Sequence, residues 1–131
     1  MAVSVNGKIE GTGRPGTYLT LNRRWADGDV IEFTLPAEVR VRRYEGEDQI
    51  AGGKRYSVEY GPILLAAVGG TKADLKVDKG HEAEHLAAHL EAIPNSPLHF
   101  KVRGNEGRKF VPYWLISEEE FTCYLQVTAM V

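Results

Sequence analysis

YLTLNRRWADGDVIEFTLP, residues 18–36, carries the first reading of the fold in its spacing. From Thr17 the chain alternates: Tyr18, Thr20 and Asn22 fall on one side, Leu19, Leu21 and Arg23 on the other. A period of two marks an extended strand, whose successive side chains point to opposite faces. Trp25-Ala26-Asp27-Gly28-Asp29 reads as a turn, because an Asp-Gly pair tolerates the positive φ that reverses a chain between paired strands. Val30, Glu32 and Thr34 then alternate with Ile31, Phe33 and Leu35 until Pro36, which has no N–H to give a ladder. The stretch predicts two strands joined by a turn.

Working outward, Val3-Ser4-Val5, Asn6-Gly7 and Lys8-Ile9 predict a short hairpin on a type I′ turn, with a flexible stretch from Gly11 to Gly16 behind it. Ala37–Tyr44 alternates as a strand with one buried face, and Glu45–Gly53 reads as an exposed loop. Arg55–Tyr60 alternates again, with Tyr56, Val58 and Tyr60 together. Gly61-Pro62 predicts a bulge or corner, and the apolar run Ile63–Val68 a strand buried on both faces. Only Glu82–Ile93 has helical spacing, through Leu86, Leu90 and Ile93, with Pro94 as its stop. Strands over Leu98–Arg103, Lys109–Ile116 and Phe121–Thr128 complete the expectation. It is one all-β domain over residues 1–131, an antiparallel β-sandwich of jelly-roll type with one short helix around residues 82–93.

Composition narrows the function classes. With 16 basic against 18 acidic side chains the formal net charge is −2, against the positive excess that nucleic acid or an anionic membrane requires. The longest apolar stretch, Ile63–Val68, falls far short of the roughly 20 residues of a spanning helix. The N-terminus shows no basic segment followed by an apolar one, so no signal peptide is expected. A single cysteine, Cys123, excludes an internal disulfide and any multi-cysteine zinc site. No cofactor, nucleic acid or membrane partner is expected.

The 18–36 stretch also resembles the Tyr-x-x-Leu-x-Arg-x-Trp-x-x-Gly-Asp-x-(apolar)-x-(apolar)-x-Leu-Pro pattern of the β-L-arabinofuranosidase-like proteins, glycoside hydrolase family 127. VNGK (Val5–Lys8) ahead of it, EYGPILLAA (Glu59–Ala67) behind it, and FVPYWLISEEEFTCYLQV (Phe110–Val127) extend the likeness over nearly the whole chain in order. The resemblance implies a C-terminal β-sandwich region of a larger enzyme whose α/α-barrel carries the chemistry. In that family a cysteine nucleophile sits in a zinc site with further cysteines and a glutamate. None of those motifs is found here, and Cys123, in FTCYLQV, corresponds to none of them. The implied role is a non-catalytic accessory domain that supports the barrel or mediates domain and dimer contacts. The parent enzyme would release arabinofuranosyl groups from plant glycans, and a bacterial, periplasmic or secreted setting is favoured. The resemblance further implies that sandwich strands precede the Val-Asn-Gly-Lys turn, so that a sheet edge stands exposed here.

Several residues carry chemistry in their own right. His81, His85 and His89 repeat every four positions and would share a helix face able to chelate zinc with Glu82 or Glu84; a polar face beside Leu86 and Leu90 is the plainer reading. Asp27 with Asp29, and Glu118–Glu120, are carboxylate sets of the kind glycoside hydrolysis uses, though both sit in turns where acids are solvated. Among the aromatics, Trp25, Tyr113 and Trp114 are the candidate carbohydrate contacts, since a sugar's apolar face packs on a flat ring. The competing explanation is core packing. Strand alternation places Tyr113 and Trp114 on opposite faces. Arg23, Arg24, Arg40, Arg42 and Arg43 read as a solvated basic face paired with Glu32 and Glu38. The two alternatives to the accessory role are an autonomous carbohydrate-binding module and a small metal-dependent hydrolase built on the three histidines.

Overall fold

A computed structural model describes residues 1–75 and 79–129. They form two compact units, Met1–Pro36 and a second beginning at Ala37, where the sequence reading treats 1–131 as one domain.

The first unit is a three-stranded antiparallel sheet in the order β2-β1-β3, with β1 at Ala2–Val5, β2 at Lys8–Thr12 and β3 at Ile31–Phe33. Its hairpin turns on Asn6 and Gly7, whose φ of 51° and 78° are the two positive values a type I′ turn demands. The register slips between Val3 and Ser4, which face Gly11 and Ile9, so Glu10 is the extra residue of a bulge. The Asp-Gly turn forms as expected, with the Asp29 N–H donating to the Ala26 carbonyl at 3.2 Å.

Thr17–Arg23 is not a strand, contrary to its alternation. Alternation sets which way side chains point, but a strand needs a ladder, and both edges of β1 are already taken by β2 and β3. Leu19 instead lies so close to Gly11 that a Cβ there would sit 3.1 Å from it. Tyr18 is fully exposed. The expected strand over Val30–Leu35 shortens to β3 for the same reason, since β1 pairs only with Ile31–Phe33.

The second unit is a curled nine-stranded sheet: β4 Val39–Arg43, β5 Lys54–Tyr60, β6 Ile63–Val68, β7 Lys72–Leu75, β8 Leu90–Ala92, β9 Phe100–Val102, β10 Asn105–Pro112, β11 Phe121–Thr122 and β12 Leu125–Ala129. Gly61, with φ 58°, and Pro62 form a two-residue hairpin turn between β5 and β6, not the corner of one continuing strand. These two strands pair only near the turn, over 58–60 and 63–65, and then part. The C-terminal segment fills the fork they leave: β12 pairs with residues 54–56 of β5, and β11 with 67–68 of β6. The expected strand over Phe121–Thr128 therefore breaks at Cys123-Tyr124, where the segment crosses from one arm to the other. β4 lines the far edge of β5, β10 the far edge of β6, and β9 and β8 follow β10. β7, which shows no distinctive pattern in sequence, joins β12 in the only parallel pairing among the described residues.

The helix α1 spans Glu82–His89, shorter than residues 82–93. Pro94 is not its stop. Leu90 is already extended (φ −79°, ψ 122°) because Leu90–Ala92 pairs with β9 as β8, so tertiary pairing overrides local propensity. One other span contracts and another shifts toward the N-terminus, β10 starting at Asn105. Leu98–Arg103 reduces to β9, and the strand expected over Lys109–Ile116 ends at Pro112, with Tyr113–Leu115 turning as a 3-10 helix. The all-β class with one short helix stands, and the curled, sandwich-like sheet wraps one core.

That core is built from alternate residues of the strands: Tyr56 and Val58, Leu65 and Ala67, Phe100 and Val102, Phe110, Leu125 and Val127, with Leu86 from α1. Ser57 and Ala66, on the opposite parity, are buried as well, which bears out the two-faced burial expected of Ile63–Val68. Phe110 is the largest fully buried side chain. Phe110→Ala is expected to cost about 3–5 kcal/mol, read as a lower urea midpoint at unchanged slope.

Candidate functional site

In the first unit the residues of the 18–36 pattern converge on one carboxylate. Asp29 Oδ1 accepts from the Asn6 side-chain amide at 2.8 Å, and Oδ2 accepts from the Ala26 N–H at 3.0 Å. The Arg23 guanidinium lies 3.7 Å from Asp29 and 3.3 Å from Glu10, with its carbon 5.1 Å from the Trp25 ring centroid. Asn6 answers on its other side, its Oδ1 accepting from the Val30 N–H at 2.9 Å. The Asn-Gly and Asp-Gly turns are thereby bolted together. The Ala26 N–H, then Asn6 and Arg23, hold the Asp29 carboxyl below the ordinary range, so it stays charged and accepts. A general acid for glycoside cleavage requires the reverse environment. Asp29 thus serves the turns, and Trp25 caps Arg23 with about half its surface exposed.

Tyr113 and Trp114 sit side by side on the 3-10 turn and are both 54% exposed, rather than split between two faces of a strand. Their ring centroids are 5.5 Å apart at 82°, an edge-to-face pair and not a coplanar platform. Five residues after Trp114, Glu119 accepts from the Ser117 and Glu118 N–H groups at 3.0 and 3.1 Å, which holds its carboxyl below the ordinary range and fixes the acidic turn. Trp25 belongs to the other unit.

His85 and His89 do share a helix face, their rings stacked at 3.9 Å and 4°, and His89 Nδ1 contacts the His85 carbonyl at 2.8 Å. His81 precedes the helix and makes no side-chain cap. Among the described residues no three His, Cys, Asp or Glu side chains converge as a metal site. Of the expected basic face, Arg40 meets Glu38 at 3.5 Å as anticipated, while Arg42 meets Glu59 of β5 at 3.4 Å and Arg23 and Arg24 belong to the other unit. Cys123 is half-buried, and burial pushes its thiol up, away from the reactive thiolate.

Three polar clusters escape a reading of the sequence. Glu82 is only 4% exposed, with Lys54 Nζ at 3.0 and 3.2 Å and the Tyr56 hydroxyl donating at 3.3 Å. Burial alone would raise Glu82, but its own and the Gly80 backbone N–H together with Lys54 outweigh burial and bring it to about 2, while burial and Glu82 push Tyr56 to about 12. The cluster fastens α1 to β5 and borders a cavity of about 500 Å³ with Gly53, Lys79 and Thr128. Arg108 spends its guanidinium on the carbonyls of Val68, Gly69, Gly70 and Lys72, strapping the β6–β7 loop to β10. Tyr44 donates to Asp48, stacks edge-on with Tyr124 at 5.2 Å and lies under Arg55 at 4.3 Å. The available signal was slight: Lys54 and Tyr56 are two apart on one strand face, and Glu82 opens the helix.

With this geometry in view, comparison with known families has a specific answer. Residues 1–37 match the family model described as beta-L-arabinofuranosidase, GH127 middle domain. The likeness is therefore to the first 37 of 131 residues, well under half of the chain. It spans the Asn6, Arg23, Trp25 and Asp29 network and ends one residue past Pro36, where the first compact unit ends. No curated protein matches the chain.

The acid limb of stability follows from Glu82. Its folded value lies below the ordinary 4.5, so its contribution is complete above pH 4.5 and is lost as pH falls towards 2. Glu82→Gln should flatten the melting temperature over that window relative to the native chain. Lys54→Met, which strands the carboxylate, should cost about 1–3 kcal/mol at neutral pH.

Proposed function

We propose that this chain is a non-catalytic accessory module of a family 127 glycosidase, placed toward the C-terminal end of the parent protein and supporting its catalytic barrel. The observation that carries the reading is the coincidence of the family match with the Asp29 network. Asn6, Arg23 and Asp29, all within the matched residues, are spent on joining two turns. The anchored carboxylates point the same way. Asp29, Glu82 and Glu119 are each surrounded by donors that stabilise the charged form, and none is poised to give a proton to a leaving sugar. The likeness of EYGPILLAA and of Phe110–Val127 to the family's later strands extends the reading to the second unit.

A second reading, an autonomous carbohydrate-binding module for plant arabinan or arabinoxylan, is favoured by one observation: the exposed Tyr113–Trp114 pair. Trp114 would stack on a sugar face, with the Tyr113 ring edge as a wall beside it.

Two measurements on the purified chain test these readings. It should release no sugar from an aryl β-L-arabinofuranoside, and turnover above the buffer rate would overturn the accessory role. Titration with arabinan and arabinoxylan oligosaccharides should leave tryptophan fluorescence unchanged at millimolar sugar if the module is purely structural. A saturable shift abolished by Trp114→Ala would establish the binding reading in its place.

A further inference from the structure

We propose that Asn6 is a site of covalent modification held in check by Asp29: while the two turns are bolted together its deamidation is blocked, and once they part the product keeps them apart. The inference does not depend on the glycosidase reading. Asparagine is a thermolabile residue. Here it is followed by Gly7, and a glycine places no Cβ beside its own nitrogen, the atom that attacks in this reaction.

The step balances with water as its only co-reactant. The Gly7 nitrogen gives up its proton to solvent and forms a bond to Cγ of Asn6. The Cγ–Nδ2 bond breaks, and Nδ2 takes up a proton and leaves as ammonia. Water then opens the five-membered imide at one carbonyl or the other. An aspartate or an iso-aspartate at position 6 results, and nothing is oxidised or reduced.

The folded first unit opposes ring closure twice. Closure requires the Gly7 nitrogen to eclipse Cβ of Asn6. Asn6 has a φ of 51°, in the left-handed region where ψ is about +47° and the following nitrogen lies nearly opposite Cβ. The side chain is pinned as well. Its Nδ2 donates to Asp29 Oδ1 at 2.8 Å, and its Oδ1 accepts from the Val30 N–H at 2.9 Å. The Asn6 main chain reaches the same turn, its N–H donating to the Val30 carbonyl at 2.9 Å. Asp29 is the fixed end of this latch, because the Ala26 N–H at 3.0 Å and Arg23 at 3.7 Å hold it from the other side. Conversion of Asn6 therefore tracks the fraction of time the latch is open.

The product cannot close it again. Deamidation removes the donor that Asp29 Oδ1 accepts from and sets a second carboxylate against the first, an arrangement in which both resist being charged together. The Ala26 N–H meanwhile favours the charged form of Asp29. Iso-aspartate also adds a methylene to the main chain of a two-residue turn, whose length sets the register of the β1–β2 hairpin. The first unit thus carries a one-way switch that opens with age.

Incubation of the full chain at mildly alkaline pH tests this, with mass spectrometry of proteolytic peptides reading the exchange of the Asn6 amide nitrogen for oxygen. Asn6 should convert at least about tenfold more slowly in the folded chain than in guanidinium chloride. Asp29→Asn, which puts an NH2 group where one acceptor oxygen stood, should speed conversion in the folded chain by about tenfold, the equivalent of a lost hydrogen bond to a charged group. Asn6→Asp, which installs the product directly, should quicken amide hydrogen exchange at Ala26 and Val30 at least about tenfold. Should Asp29→Asn melt the first unit, the exchange measurement on Asn6→Asp decides. Equal rates in the folded and unfolded chain, an Asp29→Asn chain that converts no faster, or unchanged exchange in Asn6→Asp would each overturn the proposal.

Discussion

Two strands that leave a hairpin and part company each expose a row of backbone donors and acceptors, and buried groups of that kind must find partners. In the second unit this constraint organises everything else. β5 and β6 part after three residues of each arm, and the segment 121–129 is the only one described that reaches both freed edges. By filling the fork it bends the sheet around Tyr56, Leu65, Phe110, Leu125 and Val127, so the core and the ladder close together. The bend at Cys123-Tyr124 is the mark of that crossing, and the thiol is half-buried there as a consequence.

The first unit solves a smaller problem with polar groups. It buries few apolar side chains, Val3 and Val5 chief among them, and cannot hold two turns in register through packing alone. One carboxylate does it, accepting from a side-chain amide on one turn and a main-chain N–H on the other. That accounts physically for why Asn6, Arg23 and Asp29 belong to one pattern, and for why a pattern from a glycosidase family need not mark a catalytic centre. The exposed ring pair after Pro112 is the aromatic surface that the second unit offers to solvent.

What was legible in the sequence was local. Asn6-Gly7 and Asp27-Gly28 turn because their residue types tolerate positive φ, and β4, β5 and β6 follow from alternation and from the apolar run at Ile63–Val68. The same logic failed where pairing, not pattern, decides: Thr17–Arg23 alternates without a ladder, and Leu90–Ala92 continues a helical stripe yet pairs with Phe100–Val102 as β8. The candidate sites divide likewise. The exposure of the Tyr113 and Trp114 rings suits the proposed contact, but their edge-to-face geometry comes from Pro112 ending β10.

By itself, then, the sequence determined the turns, the β class and the two-faced burial of Ile63–Val68, because φ preference and side-chain period act over a few residues. Only the tertiary structure decided the fork, the parallel β7, the end of α1 and the partners of Glu82, Asp29 and Arg108. Those depend on hydrogen bonds and desolvation between residues tens of positions apart, for which no local pattern of residues carries a signature.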